Sequence, residues 1–129
     1  MNAKYLDMMN AEELEDYAQI LGFTTKAAKT KAAKVQLIET KRSESAEVEI
    51  FGTKFVIPKK RFHDKTISDL LAKPTRTDND VVEAIRMLLG DDQYELIYEA
   101  VRDEDGTVDI DALIFVYLRL FSNEALKNF

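Results

Sequence analysis

The 129-residue sequence contains no cysteine and no tryptophan, and it has one histidine, two prolines and four glycines. Without a thiol there is no cysteine nucleophile, no thiolate zinc site and no disulfide, a usage that suits a reducing compartment. His63 can enter a metal set or a Ser-His-Asp arrangement only once, and no Gly-x-Ser-x-Gly motif accompanies it. It stands among Lys59, Lys60, Arg61 and Asp64, as a surface loop residue would. The glycines are scattered, so no phosphate-cradling loop is legible. Long apolar runs are missing too: the longest, 112–118, is far below the ~20 residues a membrane helix needs. The start, MNAKYLDMMNAEELED, has neither the basic region nor the apolar stretch of a signal peptide. Together these absences predict a chain that is not an enzyme, holds no cofactor or metal, and has no membrane attachment.

What is present fits a small globular protein. Hydrophobic residues make up 46% and charged residues 33%, enough apolar content for one modest core and too much for a disordered chain. The net charge of −6 is unevenly spread. Residues 24–42 hold Lys26, Lys29, Lys31, Lys34, Lys41 and Arg42 against Glu39, whereas residues 77–111 hold twelve carboxylates against Arg86 and Arg102. Such a split suggests two surfaces with different partners, or two surfaces that attract each other.

Asn10 and Glu13 predict a capping box, after which Leu14, Tyr17, Ala18 and Leu21 recur on one helical face until Gly22 stops the helix. Phe23 is placed to fold back over that glycine cap. A second helix is predicted over about 30–40, with Val35 and Ile38 inward. ELEDYAQILGF followed by KTKAAKVQLIET resembles the SAP and Rho-N-type helix-extension-helix modules at Leu14, Leu21, Gly22, Lys34, Leu37 and Ile38. The resemblance covers about 30 residues. Because many such modules bind DNA, it implies nucleic-acid contact through Lys26, Lys29, Lys31 and Lys34. Five acidic residues in 7–16 oppose that reading, and a lysine-rich helix face is usually a solvated one.

KRSESA, residues 41–46, reads as a linker, dividing the chain into 1–43 and 44–129. In EVEIFGTKFVIP, Val48, Ile50, Phe55 and Ile57 alternate around Phe51, Gly52 and Thr53, a β-hairpin signal of uncertain register that Pro58 ends. KKRFHDK reads as a polar connector. Thr66 with Asp69 suggests a capping box for a short helix carrying Ile67, Leu70 and Leu71. PTRTDND is a turn into a helix with Val81, Val82, Ile85, Leu88 and Leu89 on one face, ended by Gly90. Asp92 with Glu95 is read as the cap of the next helix, which buries Tyr94, Ile97, Tyr98 and Val101. Tyr94 and Tyr98 could stack on bases, but Glu95 and Glu99 would repel phosphate, so core packing is preferred. The fold class is therefore α+β and mainly α: an N-terminal helical pair, one hairpin and a C-terminal bundle of about four helices.

The acidic loop before the last helix imitates a calcium site. An EF-hand needs Gly at loop position 6, oxygen ligands at 1, 3, 5, 7 and 9, and a bidentate Glu at 12. With Gly106 as position 6, Asp103, Asp105 and Asp109 fit, but positions 1 and 12 become Val101 and Ala112. Asp105 and Gly106 are better read as a turn and Asp109 as a helix cap. The last helix carries Leu113, Ile114, Phe115, Val116, Tyr117, Leu118, Leu120 and Phe121, apolar nearly all round, so two of its faces need cover.

From Val48 onward, over about 80 residues, the order of parts resembles the tail assembly chaperones of long-tailed bacteriophages and prophages. It rests on the hairpin VEIFGTKFVIP, the short helix TISDLLA, the Leu-Gly step and acidic helix in LLGDDQYELIYEAV, and the loop and apolar helix in DEDGTVDIDALIFVYLRLF. The resemblance implies a non-enzymatic protein that coats the helical, apolar tape-measure protein during tail morphogenesis and often self-associates. It also implies residence in the bacterial host cytoplasm and absence from the mature virion. Phe115, Tyr117, Leu118 and Phe121 are the expected partner-facing residues. The alternative is a small DNA-binding or phage regulatory protein using its N-terminal lysines.

Overall fold

The structure is a computed structural model, described over residues 3–129. The chain is α+β and mainly α, with one two-stranded antiparallel hairpin and otherwise helices among the described residues. It divides into two compact units, Met1–Glu44 with Asn128–Phe129, and Ser45–Lys127.

The first unit contains α1 (Lys4–Met8), α2 (Ala11–Leu21) and α3 (Lys31–Arg42). At the start of α2 the Asn10 side chain accepts from the Glu13 amide at 2.8 Å, and the Glu13 carboxylate accepts from the Asn10 amide at 3.0 Å. This reciprocal cap satisfies two of the donors every helix start leaves open. Gly22 ends the helix in the left-handed region, φ 99, and the Phe23 amide reaches back to the Ala18 carbonyl at 3.0 Å. Thr30 caps α3 by accepting from the Ala33 amide. Leu6, Leu14, Ala18, Val35 and Ile38 form the core, with Phe23 packed against it. The contribution of α1, through Leu6, has no counterpart in the sequence reading.

The stretch between α2 and α3 is pinned by Glu15. Its carboxylate accepts from the Thr25 amide at 2.7 Å, from the Thr25 hydroxyl at 2.8 Å, from the Thr24 hydroxyl at 2.9 Å and from the Gln19 amide at 3.0 Å. These donors favour the anion, led by Gln19 and then Thr25, and hold the Glu15 carboxyl at about 2.

The second unit opens with the hairpin of β1 (Ser45–Ile50) and β2 (Thr53–Pro58). Its register pairs Ile50 with Thr53, Val48 with Phe55 and Ala46 with Ile57, putting these side chains' apolar members on one buried face. The turn is two residues long, Phe51 (φ 54) and Gly52 (φ 74), the doubly left-handed geometry that matches strand twist. Then follow α4 (Lys59–Phe62), α5 (Lys65–Ala72), α6 (Asp78–Leu89), α7 (Asp91–Ala100), α8 (Ile110–Phe121) and α9 (Glu124–Lys127). Ile67, Val81, Ile85, Leu88, Leu89, Ile97, Val101, Leu113, Val116, Leu120 and Leu126 close over the hairpin's apolar face in a single core.

Several local expectations need correction. Helix α3 runs through Arg42 and β1 begins at Ser45, so only residues 43 and 44 remain of the supposed 41–46 linker. The connector after Pro58 holds the turn of helix α4, because Phe62 packs on the core and pulls the backbone inward. Helix α5 is capped by Asp64, which accepts from the Thr66 amide, while Asp69 pairs with Lys65 at 2.9 Å. Helix α6 has a Thr77 and Asp80 capping box in what read as a plain turn. Helix α7 starts two residues earlier than an Asp92 cap would place it, after Gly90, with no side-chain cap. Gly90 serves two helix ends at φ 81, ψ 161, a conformation essentially limited to glycine, and a Cβ there would stand 2.9 Å from Arg61 Nη1. Tyr94 and Tyr98 are half-buried, whereas Ile97 and Val101 are fully inside.

Candidate partner-binding site

Helix α8 is assembled so that one apolar stripe is covered and the other is not. Asp109 caps it, accepting from the Ala112 amide at 3.1 Å, and thereby sets the rotational phase of everything downstream. Leu113, Val116, Tyr117 and Leu120 then fall on the inward face. At about 100° per residue, Phe115 and Leu118 must point the other way. They are 49% and 60% exposed. Tyr117 is only 7% exposed and stacks on half-buried Phe121 with ring centroids 4.7 Å apart, and Phe121 also lies against Phe62 at 5.4 Å. Of the four expected partner-facing residues, the surface therefore carries Phe115 and Leu118, while Tyr117 belongs to the core and Phe121 to its margin.

The hairpin supplies a third surface residue that the sequence reading missed. Phe51, 50% exposed at the tip, stacks on Phe115 with centroids 5.8 Å apart and planes 25° from parallel. A left-handed non-glycine residue costs about 1–2 kcal/mol, and an aromatic pair returns about 0.5–1.5 kcal/mol, so the stack roughly offsets the strain of a phenylalanine where Asn or Gly is usual. The signal was in the sequence: a phenylalanine immediately before the turn glycine. Arg119 Nε donates to the Glu49 carbonyl at 3.4 Å, tying α8 to β1 beside this patch. Asp111, one turn before Phe115, is exposed.

The hairpin edges are treated unequally. Gln93 acts as a surrogate peptide on β2: its Oε1 accepts from the Val56 amide at 3.0 Å, and its Nε2 donates to the Val56 carbonyl at 2.9 Å and the Leu89 carbonyl at 2.8 Å. Edge protection of this kind removes a template for strand pairing.

The four candidate DNA-contacting lysines separate into two pairs. Lys31 Nζ donates to the Asp7 carbonyl and Lys34 Nζ to the Thr25 carbonyl, each at 3.0 Å, so both help to hold the first unit together. Lys26 and Lys29 are exposed on the stretch before α3.

The acidic loop is occupied with its own turn. The Asp105 carboxylate accepts from the Thr107 amide at 2.9 Å, which holds its carboxyl below the usual carboxylate range. The Gly106 amide donates to the Asp103 carbonyl, and the Asp109 side chain is spent on the cap. Among the described residues no group of three or more His, Asp or Glu is placed to hold a metal ion. His63 follows α4 with its ring edge-on to Phe62. A cavity of about 490 Å³ beside Gly90 is lined by Arg61, whose guanidinium donates to the Leu88 carbonyl, together with Asp91 and Asp92. Among the described residues no helix is long and apolar enough to cross a membrane.

No protein-family model, no curated protein and no solved structure matches this chain.

Proposed function

We propose that this chain is a non-enzymatic assembly chaperone for a long, apolar, helical protein, of the kind that coats the tape-measure protein of a long-tailed bacteriophage or prophage in the host cytoplasm. The observation that carries the reading is the exposed row of Phe115 and Leu118 on α8, extended by Phe51 from the hairpin tip. Apolar side chains held proud of a finished core lose nothing by being covered, and residues three apart on a helix match the ridges of a second helix. The carboxylates of residues 77–111 would keep the loaded complex soluble. The order of hairpin, short helix, Leu-Gly step, acidic helix and apolar helix supports the same class. Release before virion completion and self-association belong to this proposal.

Co-expression with the long helical reading frame adjacent to its gene, followed by pull-down and light scattering, tests it. Recovery of a soluble complex with several copies of this chain per long partner is expected, and Phe115→Ser with Leu118→Ser should abolish it while leaving the fold's circular dichroism unchanged. A partner that stays insoluble, or binds the double variant equally well, would sink the idea.

The second reading, DNA contact by the SAP-like unit, rests on exposed Lys26 and Lys29. It is the weaker one because Lys31 and Lys34 are engaged within the fold.

A further inference from the structure

We propose that the outer edge of β1 is a second binding site, one that takes an extended basic segment of a partner as a third strand. This site adjoins the apolar row of α8 but is built from different groups, and it does not depend on the chaperone reading.

Along an antiparallel pair, residues alternate between those bonded across the pair and those whose N–H and C=O point outward. On β2 the outward residues include Lys54 and Val56, and Val56 is taken by Gln93. On β1 the outward residues in the same register are Glu47 and Glu49. Arg119 takes the Glu49 carbonyl, which leaves the Glu47 N–H and C=O and the Glu49 N–H without a protein partner outside the hairpin among the described residues. The β1 edge is thus a template of the kind that extended peptides complete. Beside it runs a groove of about 370 Å³, lined by Glu47, Glu49, Arg119, Ser122, Asn123 and Glu124.

Charge selects the occupant. Glu47 and Glu49 are both exposed and stand on the same face of the strand. A residue that exchanges both hydrogen bonds with Glu47, or accepts from the Glu49 N–H alone, places its own side chain directly beside that carboxylate. Lysine or arginine at alternate positions of the incoming strand would pair with both. A second copy of β1 would instead set glutamates against glutamates, a like-charge arrangement that disfavours pairing of the edge with itself. The single groove cation, Arg119, is committed to the Glu49 carbonyl.

The test uses the full-length chain and an acetylated, amidated Lys-Val-Lys-Val-Lys-Val peptide, read by amide hydrogen exchange. Exchange at the Glu47 and Glu49 amides should slow on titration. The same peptide N-methylated at its lysines, unable to complete the ladder, should leave exchange unchanged on the wild-type protein. Doubly substituted Glu47→Lys/Glu49→Lys protein should bind the lysine peptide roughly tenfold more weakly and prefer its glutamate counterpart. Three results would overturn the proposal: no protection at these two amides, equal protection by the N-methylated or acidic peptide, or protection that grows with protein concentration alone. The last would assign the edge to a second copy of the chain.

Discussion

Glu15 illustrates how one side chain can hold a segment that has no secondary structure of its own. Its bonds to Thr24 and Thr25 span nine and ten residues, and nothing periodic in the sequence announces them. Thr25 is completely buried, so loss of the carboxylate's acceptor power would strand a buried hydroxyl and a buried amide. The folded-state carboxyl titrates at about 2 against 4.5 for an unperturbed glutamate. A depressed carboxyl contributes stability that is fully present above the unfolded value and is lost as pH falls through the folded one. The Thr25 amide resonance should therefore weaken in native intensity between about pH 4.5 and about pH 2. In Glu15→Gln that dependence should vanish, leaving a first unit that is less stable at neutral pH and no more acid-sensitive than the rest of its carboxylates dictate. An unchanged acid profile in the variant would remove Glu15 from this role. Phe51 is the opposite case at this scale: its left-handed backbone is legible only as an odd neighbour for a turn glycine, and its reward, Phe115, is 64 positions away by the numbering.

Among the elements, α8 carries the argument. Its over-apolar composition led to an expectation of cover on two faces; the unit covers one, and composition is silent on which stripe that is. The hairpin and α6 take Leu113, Val116, Tyr117 and Leu120, leaving Phe115 and Leu118 outside. That division makes a sharp contrast in stability. Leu120→Ala, at a fully buried site, should cost about 2–5 kcal/mol, whereas Leu118→Ala should stay within about 0.5 kcal/mol. Urea denaturation of the two variants measures both, and similar midpoints would mean that α8 is turned differently from the arrangement described. The hairpin teaches a related lesson. Strict alternation of Val48, Ile50, Phe55 and Ile57 announced a strand pair with one apolar face, yet the two-residue turn, the Gln93 surrogate strand and the Arg119 tie all depend on partners brought in from α7 and α8.

At the scale of the whole chain, two separate cores serve two different surfaces. The first unit balances seven lysines and arginines against seven carboxylates, with six of its cations gathered in residues 24–42, whereas the second unit has a carboxylate excess, so salt distinguishes the functional readings. Binding of an apolar helical segment by Phe51, Phe115 and Leu118 should hold nearly constant between 50 and 200 mM salt (on the order of the range over which DNA binders respond), while DNA affinity through lysines would fall steeply over that interval. Fluorescence anisotropy with a labelled amphipathic helix and with a labelled duplex gives both slopes. A steep slope for the duplex with no binding of the helix would transfer the function to the first unit.

Interactions that close within about four residues were readable before any coordinates: the Asn10 and Glu13 box, the Gly22 stop, the Asp109 cap, the helical spacing of Val81, Ile85 and Leu88, and the hairpin alternation. They are local because a helix cap or a strand period involves only the chain's immediate neighbours. Hidden from that reading were the helical turn at Lys59–Phe62, the burial of Tyr117, the stacking of Phe51 on Phe115, and the one protected and one open stretch of hairpin edge. Each depends on which surfaces meet across tens of residues, and for a helix apolar on every side only packing against the rest of the unit selects the stripe that remains exposed.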